Sequence, residues 1–320
     1  MTEFNTQPRP VISVAINPRN NSDHEKFQQA LSVLLQEDPT LQIKTESLNG
    51  QTILGGMSDL HLEAIWDRIL HEFNIQLNIG ELRVIYLETI RKRAEGEGKY
   101  IRQTGGSGDY AHCKLQVEPN GSGKGYEFIN EIKDGSIPTQ FINSINEGVQ
   151  DALAVGILTG HPIVDIKVTL FDGSHHYLDS NEIAFKIGGA IAFKDAARKA
   201  LPILLEPVMT VEVTAPEEYM GFIISGLNSR RGRIEGIEQD TLGSQVITAS
   251  VPLAEMIGYG RELRANTQGR AFHSMKFARY EAASRPEEPD DDYPYVTAKK
   301  PTGSKPGSGS AAASLDAELK

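Results

Sequence analysis

Apolar and polar positions alternate over residues 11–16 (VISVAI), and apolar side chains then recur at Phe27, Ala30, Leu31, Leu34 and Leu35. The first pattern predicts a strand and the second an amphipathic helix. Ser22 and Glu25 stand at capping-box spacing ahead of that helix. Two short strand patterns follow at residues 41–45 and 51–55, separated by Asn49 and Gly50. A second helix is expected from Ser58, carrying Leu62, Ile65, Ile69 and Phe73, and a strand over 75–79 closes the segment. The order is β-α-β-β-α-β.

The same order returns near the other end of the chain. Residues 208–213 read as a strand, and Thr214 with Glu217 forms a second capping-box spacing. A helix is expected over 219–228, with Tyr219, Met220, Ile223, Ile224 and Leu227 on one side. Strands at 233–238 and 245–251, a helix carrying Leu253, Met256, Ile257 and Leu263, and a strand at 272–280 complete it. Each end is expected to form a ferredoxin-like βαββαβ module whose helices cover one sheet face and leave the other free. Between them, strand patterns at 84–90, 99–103, 112–117 and 126–132 precede a helix over 139–155, a buried strand over 163–170 and a helix over 181–199. The fold class is α+β: two ferredoxin-like modules flanking a central α+β domain. The expected divisions are 1–83, 84–203 and 204–285, with a tail over 286–320 too rich in Pro, Gly, Ser and charge to order itself.

Composition narrows the functional classes. The 320 residues carry a formal charge of −11, which excludes coating nucleic acid through bulk charge but allows local contacts with a structured RNA. The lone Cys113 excludes an internal disulfide and a multi-cysteine zinc site. No apolar run reaches a membrane span, and the first ten residues lack a signal pattern, so a cytoplasmic protein is expected.

Against that acidic background, Arg230, Arg231 and Arg233 crowd into four residues just past a helix end. Guanidinium forks suit phosphate, so the cluster is either a polyanion contact or an exposed turn paired with Glu235 and Glu238. Residues 104–112 (TGGSGDYAH) and 171–182 (FDGSHHYLDSNE) form two loops at element ends. GSGKG (121–125) lacks the Ser or Thr of a P-loop and reads as a hairpin turn, and DTLG (240–243) sits between strands. No base-reading NKxD motif occurs, so no GTP or other cofactor is expected here. His175, His176 and Asp179 include metal-ligating types, but adjacent histidines on a polar loop usually diverge and no paired ligand set occurs elsewhere. No metal and no catalytic residue is expected.

Taken together, the segments resemble the C-terminal part of bacterial elongation factor G, over about residues 10–283. QTILGGMSDLHLE (51–63) is similar to its third domain. GKYIRQTGGSGDYAH (98–112), GHPIVDIKVTLFDGSHHYLDS (160–180) and AFKIGGAIAFKDA (184–196) are similar to its fourth. EPVMTVEVTAPEEYMG (206–221), LNSRRGRI (227–234) and TQGR (267–270) are similar to its fifth. The resemblance implies a ribosomal-protein-S5-like fold for the middle domain, with a tip that enters the decoding centre. Gly105, Gly106, Ser107, Gly108, Asp109, Tyr110, His175 and His176 are the implied tip, His176 falling where the family has its tip histidine. Arg230, Arg231, Arg233 and Arg264 are the implied contact to large-subunit ribosomal RNA.

The implied partners are the ribosome, its RNA and the tRNA–mRNA at the decoding centre, with no membrane. GTP and Mg belong to the full-length family, whose GTPase domain has no counterpart in this sequence. The implied role is tRNA–mRNA translocation; the alternative is a ribosomal-protection or recycling type of paralogue. The family's first tip loop commonly reads GGRGQYGH. Ser107 here replaces a cation and Asp109 adds an anion, which points toward a divergent copy.

Overall fold

The computed structural model describes residues 10–45, 51–104, 107–133, 135–240 and 243–283. The sequence-predicted tail lies outside them. The first module runs β1 (Ile12–Pro18), α1 (His24–Glu37), β2 (Gln42–Thr45), β3 (Thr52–Gly56), α2 (Asp59–His71) and β4 (Leu77–Val84). Its antiparallel sheet has the order β2-β3-β1-β4. Phe27, Leu31 and Leu34 of α1 and Leu62, Ile65 and Ile69 of α2 are buried with Ile12, Val14, Ile16 and Leu54 of the sheet. Ser58 caps α2 by accepting the His61 amide at 3.1 Å. The Ser22–Glu25 box does not form: residues Asn21–Asp23 make a 3-10 turn, whose Asp23 amide already finds the Asn20 carbonyl, and α1 starts without a side-chain cap. Leu35 is also exposed, because the narrow stripe facing the sheet is filled by Leu31 and Leu34.

The middle domain comprises β5 (Leu87–Ile90), β6 (Ala94–Thr104), β7 (Ser107–Pro119), β8 (Tyr126–Asn130), α3 (Ile142–Val155), β9 (Ile166–Ser174) and α4 (Glu182–Lys199). Its sheet has the order β6-β7-β9-β8, in which β8 and β9 are parallel. The GSGKG segment is therefore not a hairpin turn, since β9 separates β7 from β8. Its shape is set by Asp165, whose carboxylate accepts the Gly123 and Gly125 amides at 3.0 and 2.8 Å. Helices α3 and α4 pack together, with Phe141 stacked on Phe185 at 4.7 Å. Strand β6 lies so close to α4 that a Cβ on Gly98 would meet the Gly188 carbonyl oxygen at 2.1 Å, a contact only glycine permits.

The third module contains β10 (Pro202–Ala215), α5 (Met220–Ser229), β11 (Arg233–Gln239), β12 (Gln245–Pro252), α6 (Leu253–Met256), α7 (Tyr259–Asn266) and β13 (Phe272–Ala282). The sheet order β11-β12-β10-β13 repeats that of the first module, and β5 of the middle segment adds to β10. Thr214 caps no helix: it is held in the ladder opposite Val246 and Phe272, and α5 begins only after a 3-10 turn at Glu217–Tyr219. The helix expected through Met256 and Leu263 is broken at Gly258, whose φ of 77° is left-handed, and Ile257 is exposed there. The face of the third sheet turned away from its helices carries the exposed Glu212, Phe272 and Lys276. The cores of the first and third modules run into one apolar cluster, and Tyr280 donates its hydroxyl to the Ile85 carbonyl at 3.0 Å.

Candidate nucleic-acid interface

The long hairpin of β6 and β7 brings the first tip loop to one end of the middle sheet, where Thr104 pairs with Ser107 and Arg102 with Asp109. Gly105 and Gly106 lie outside the described residues, as does the side chain of Ser107. Strand β9 ends at Ser174 on the β7 edge, so the segment joining β9 to α4 arrives beside the hairpin. Asn181 fixes its far end by accepting the Ala184 amide at 2.8 Å as the cap of α4.

Hydrogen bonds tie the two loops together. Asp179 accepts the Gly108 amide through Oδ1 at 3.2 Å and the Tyr110 amide through its carbonyl at 2.7 Å. Ser180 donates its hydroxyl to the Tyr110 carbonyl at 2.8 Å and accepts the His176 amide at 2.9 Å. Asn181 donates to the Asp109 carboxylate at 2.6 Å. The carboxylate of Asp109 is thus held by a neighbouring amide. Tyr110 reaches Ser174 through its hydroxyl, 2.8 Å apart.

The two histidines diverge. His175 Nδ1 lies 2.9 Å from the Ser136 carbonyl oxygen, whereas His176 Nδ1 lies 2.9 Å from Asp179 Oδ2. Tyr177 and Leu178 cap the turn, 91% and 81% exposed. The residues that sequence reasoning did not place in the tip are Asp179, Ser180 and Asn181. Asp179 stood out in the sequence only as a metal-ligating type beside the two histidines, and Asn181 only as a helix start.

At the other candidate surface the arginines meet four glutamates, none of them the nearby Glu235 or Glu238. Arg231 donates Nη1 and Nη2 to the two carboxylate oxygens of Glu206, both at 2.8 Å, and Nε to Glu255 at 3.1 Å. These hydrogen bonds, Glu206 first, hold the Arg231 proton more tightly than usual despite partial burial. Arg230 pairs with Glu262 and stacks over Tyr259, 5.1 Å from the ring centre. Arg233 is 62% exposed and shares Glu281 with Arg279. A cleft of about 180 Å³ opens between Glu206, Arg231, Arg233, Ser250 and Glu281. Arg264 is exposed on α7, two residues beyond Glu262. The cluster is therefore divided: Arg231 is committed to the buried Glu206, Arg230 is held against Tyr259 and Glu262 with its side chain 18% exposed, and Arg233 is the one of the three that stands mostly in solvent.

Three family models match consecutive stretches: Elongation Factor G, domain III over residues 7–81, Elongation factor G, domain IV over 82–201, and Elongation factor G C-terminus over 203–289. Among solved structures, a crystal structure of a protein from Thermus thermophilus is similar at 37% identity with a TM-score of 0.65. The match covers 88% of this chain and 42% of that one, so the chain spans less than half the length of that relative. No helix among the described residues is long and apolar enough to cross a membrane.

Proposed function

We propose, from the premise that the chain belongs to the elongation factor G family and carries its domains III, IV and C-terminal domain, that it is the ribosome-binding part of a translocation factor. In this reading it acts in the cytoplasm, binds shape and phosphate, and catalyses no reaction by itself. GTP and Mg, and the hydrolysis of GTP, belong to the GTPase domain of the full-length family. The tip of the middle domain occupies decoding-side space beside tRNA and mRNA. Arg230, Arg233 and Arg264 meet ribosomal RNA of the large subunit, and Arg231 holds the turn that presents them.

The observation that carries the reading is the order of the three matched domains over nearly the whole described chain. The divided cluster supports the role of its arginines, because solvent-exposed pairs such as Arg233–Glu281 are worth little and can exchange carboxylate for phosphate. Ser107 and Asp109 favour the alternative of a protection or recycling paralogue, since an anion near RNA weakens a decoding-side grip.

Co-sedimentation with ribosomes tests the reading. Binding is expected to weaken with salt, and Arg230→Ala with Arg233→Ala to reduce the salt slope by about one per lost phosphate contact. Properly folded protein that ignores ribosomes in low-salt buffer sinks it. Release of ribosome-bound tetracycline, or subunit splitting with recycling factor, separates the paralogue from the translocase.

A further inference from the structure

We propose that Asp179 is a positioning residue that locks the His176 ring in its Nδ1–H form, making the other nitrogen a hydrogen-bond acceptor for RNA donors. Asp179 Oδ2 lies 2.9 Å from His176 Nδ1. An ionised carboxylate only accepts, so Nδ1 carries the hydrogen and Nε2 of the neutral ring keeps its lone pair. The His176 side chain is 55% exposed, and no hydrogen bond is made by Nε2 among the described residues.

The carboxylate cannot easily turn away. Its other oxygen accepts the Gly108 amide, and the Asp179 carbonyl accepts the Tyr110 amide. The turn bearing His176 is closed by Ser180, which also bonds to the Tyr110 carbonyl. A Cβ at position 108 would come within 3.0 Å of Asp179 Cγ, so Gly108 leaves room for this approach. One side chain therefore joins the loops and orients the histidine.

Phosphate oxygens offer no hydrogen to a lone pair. A ring with Nε2 as acceptor selects a donor instead: a ribose 2′-hydroxyl or the 2-amino group of guanine, both displayed in an RNA minor groove. This selection rests on the reading that the tip meets RNA, whereas the lock itself does not.

Two measurements on the full chain test both halves. Nitrogen-15 spectra of labelled histidines report the ring form directly. His176 is expected as Nδ1–H in the wild type, with Asp179→Ala shifting the population toward Nε2–H. A wild-type ring in the Nε2–H form overturns the proposal without any variant having to fold.

Binding is then measured on ribosomes programmed with an all-ribose message, with one carrying 2′-deoxy sugars at the decoded triplet, or with one carrying inosine for guanosine there. Removing the true donor is expected to weaken wild-type binding about threefold to tenfold and to leave His176→Ala unaffected. The arm that responds identifies the hydroxyl or the amine. If His176→Ala weakens binding while neither message does, the acceptor role is overturned. If His176→Ala has no effect either, the RNA reading of the tip fails, and an Nδ1–H ring would still support the lock.

Discussion

Arg231 and Glu206 face each other fork to fork across the third module, two hydrogen bonds of 2.8 Å joining guanidinium and carboxylate. The Glu206 side chain is only 6% exposed, and the Arg231 backbone turns through a left-handed φ of 58° to reach it. A bidentate pair with one buried member behaves differently from its exposed neighbours. Arg231→Met is expected to destabilise the protein by about 3 kcal/mol, because the buried Glu206 carboxylate loses both guanidinium hydrogen bonds. Arg233→Met should cost less than about 1 kcal/mol. Chemical denaturation compares the two, and equal effects would remove the bracing role.

Glu88 is fully buried and spends its carboxylate on backbone amides. Oε2 accepts those of Ile157 and Leu158 at 2.7 and 3.0 Å, and Oε1 those of Thr159 and His161 at 2.9 and 3.3 Å. Its strand β5 also pairs with β10, so this carboxylate sits where the middle domain joins the third module. Glu88→Gln replaces one acceptor oxygen with an NH2 that points at N–H donors. A loss of about 2 to 4 kcal/mol is expected, together with faster hydrogen exchange at residues 157–161. Unchanged protection at those amides would contradict the cage.

His273 packs edge-on to Tyr259 with ring centres 5.4 Å apart. Burial pulls its imidazole below the ordinary histidine range, with Asp59 opposing and Arg264 adding. The unfolded chain therefore takes up the proton first as pH falls below about 6.5. Stability present above that pH is lost as pH drops through the lower folded value. His273→Gln should flatten the decline between about pH 7 and pH 5 relative to wild type, read from denaturation midpoints. Parallel curves would rule out this histidine as a contributor.

Cys113 lies wholly inside the middle core, and burial pushes its thiol up to about 12. Against the ordinary value of 9.0, that leaves ~1,000-fold less reactive thiolate at neutral pH. A disulfide reagent should label the native protein far more slowly than the denatured one. Comparable rates would mean that the strand opens readily.

Both βαββαβ orders could be read from the chain, because alternation and helical recurrence are local consequences of burying one face of each element. The helix starts at Ser58 and Asn181 were legible for the same reason, and in the structure each side chain accepts an amide three residues on. The charge pattern supplied the cluster of Arg230, Arg231 and Arg233, and the resemblance added Arg264, the RNA role and the naming of the two loops as a tip. Local reading failed where distant backbone had already taken the groups in question, as with Thr214 in its ladder and GSGKG on Asp165.

The sequence by itself determined the elements, their order and the presence of a cation cluster on an acidic chain. Tertiary structure alone decided which arginine turns inward to Glu206, that Asp109 is answered by Asn181, and that Asp179 bridges residues about 70 positions apart. Charge and periodicity are properties of neighbours along the chain, whereas a partner across the fold is chosen by chain path and burial. Those settle only when the sheets close.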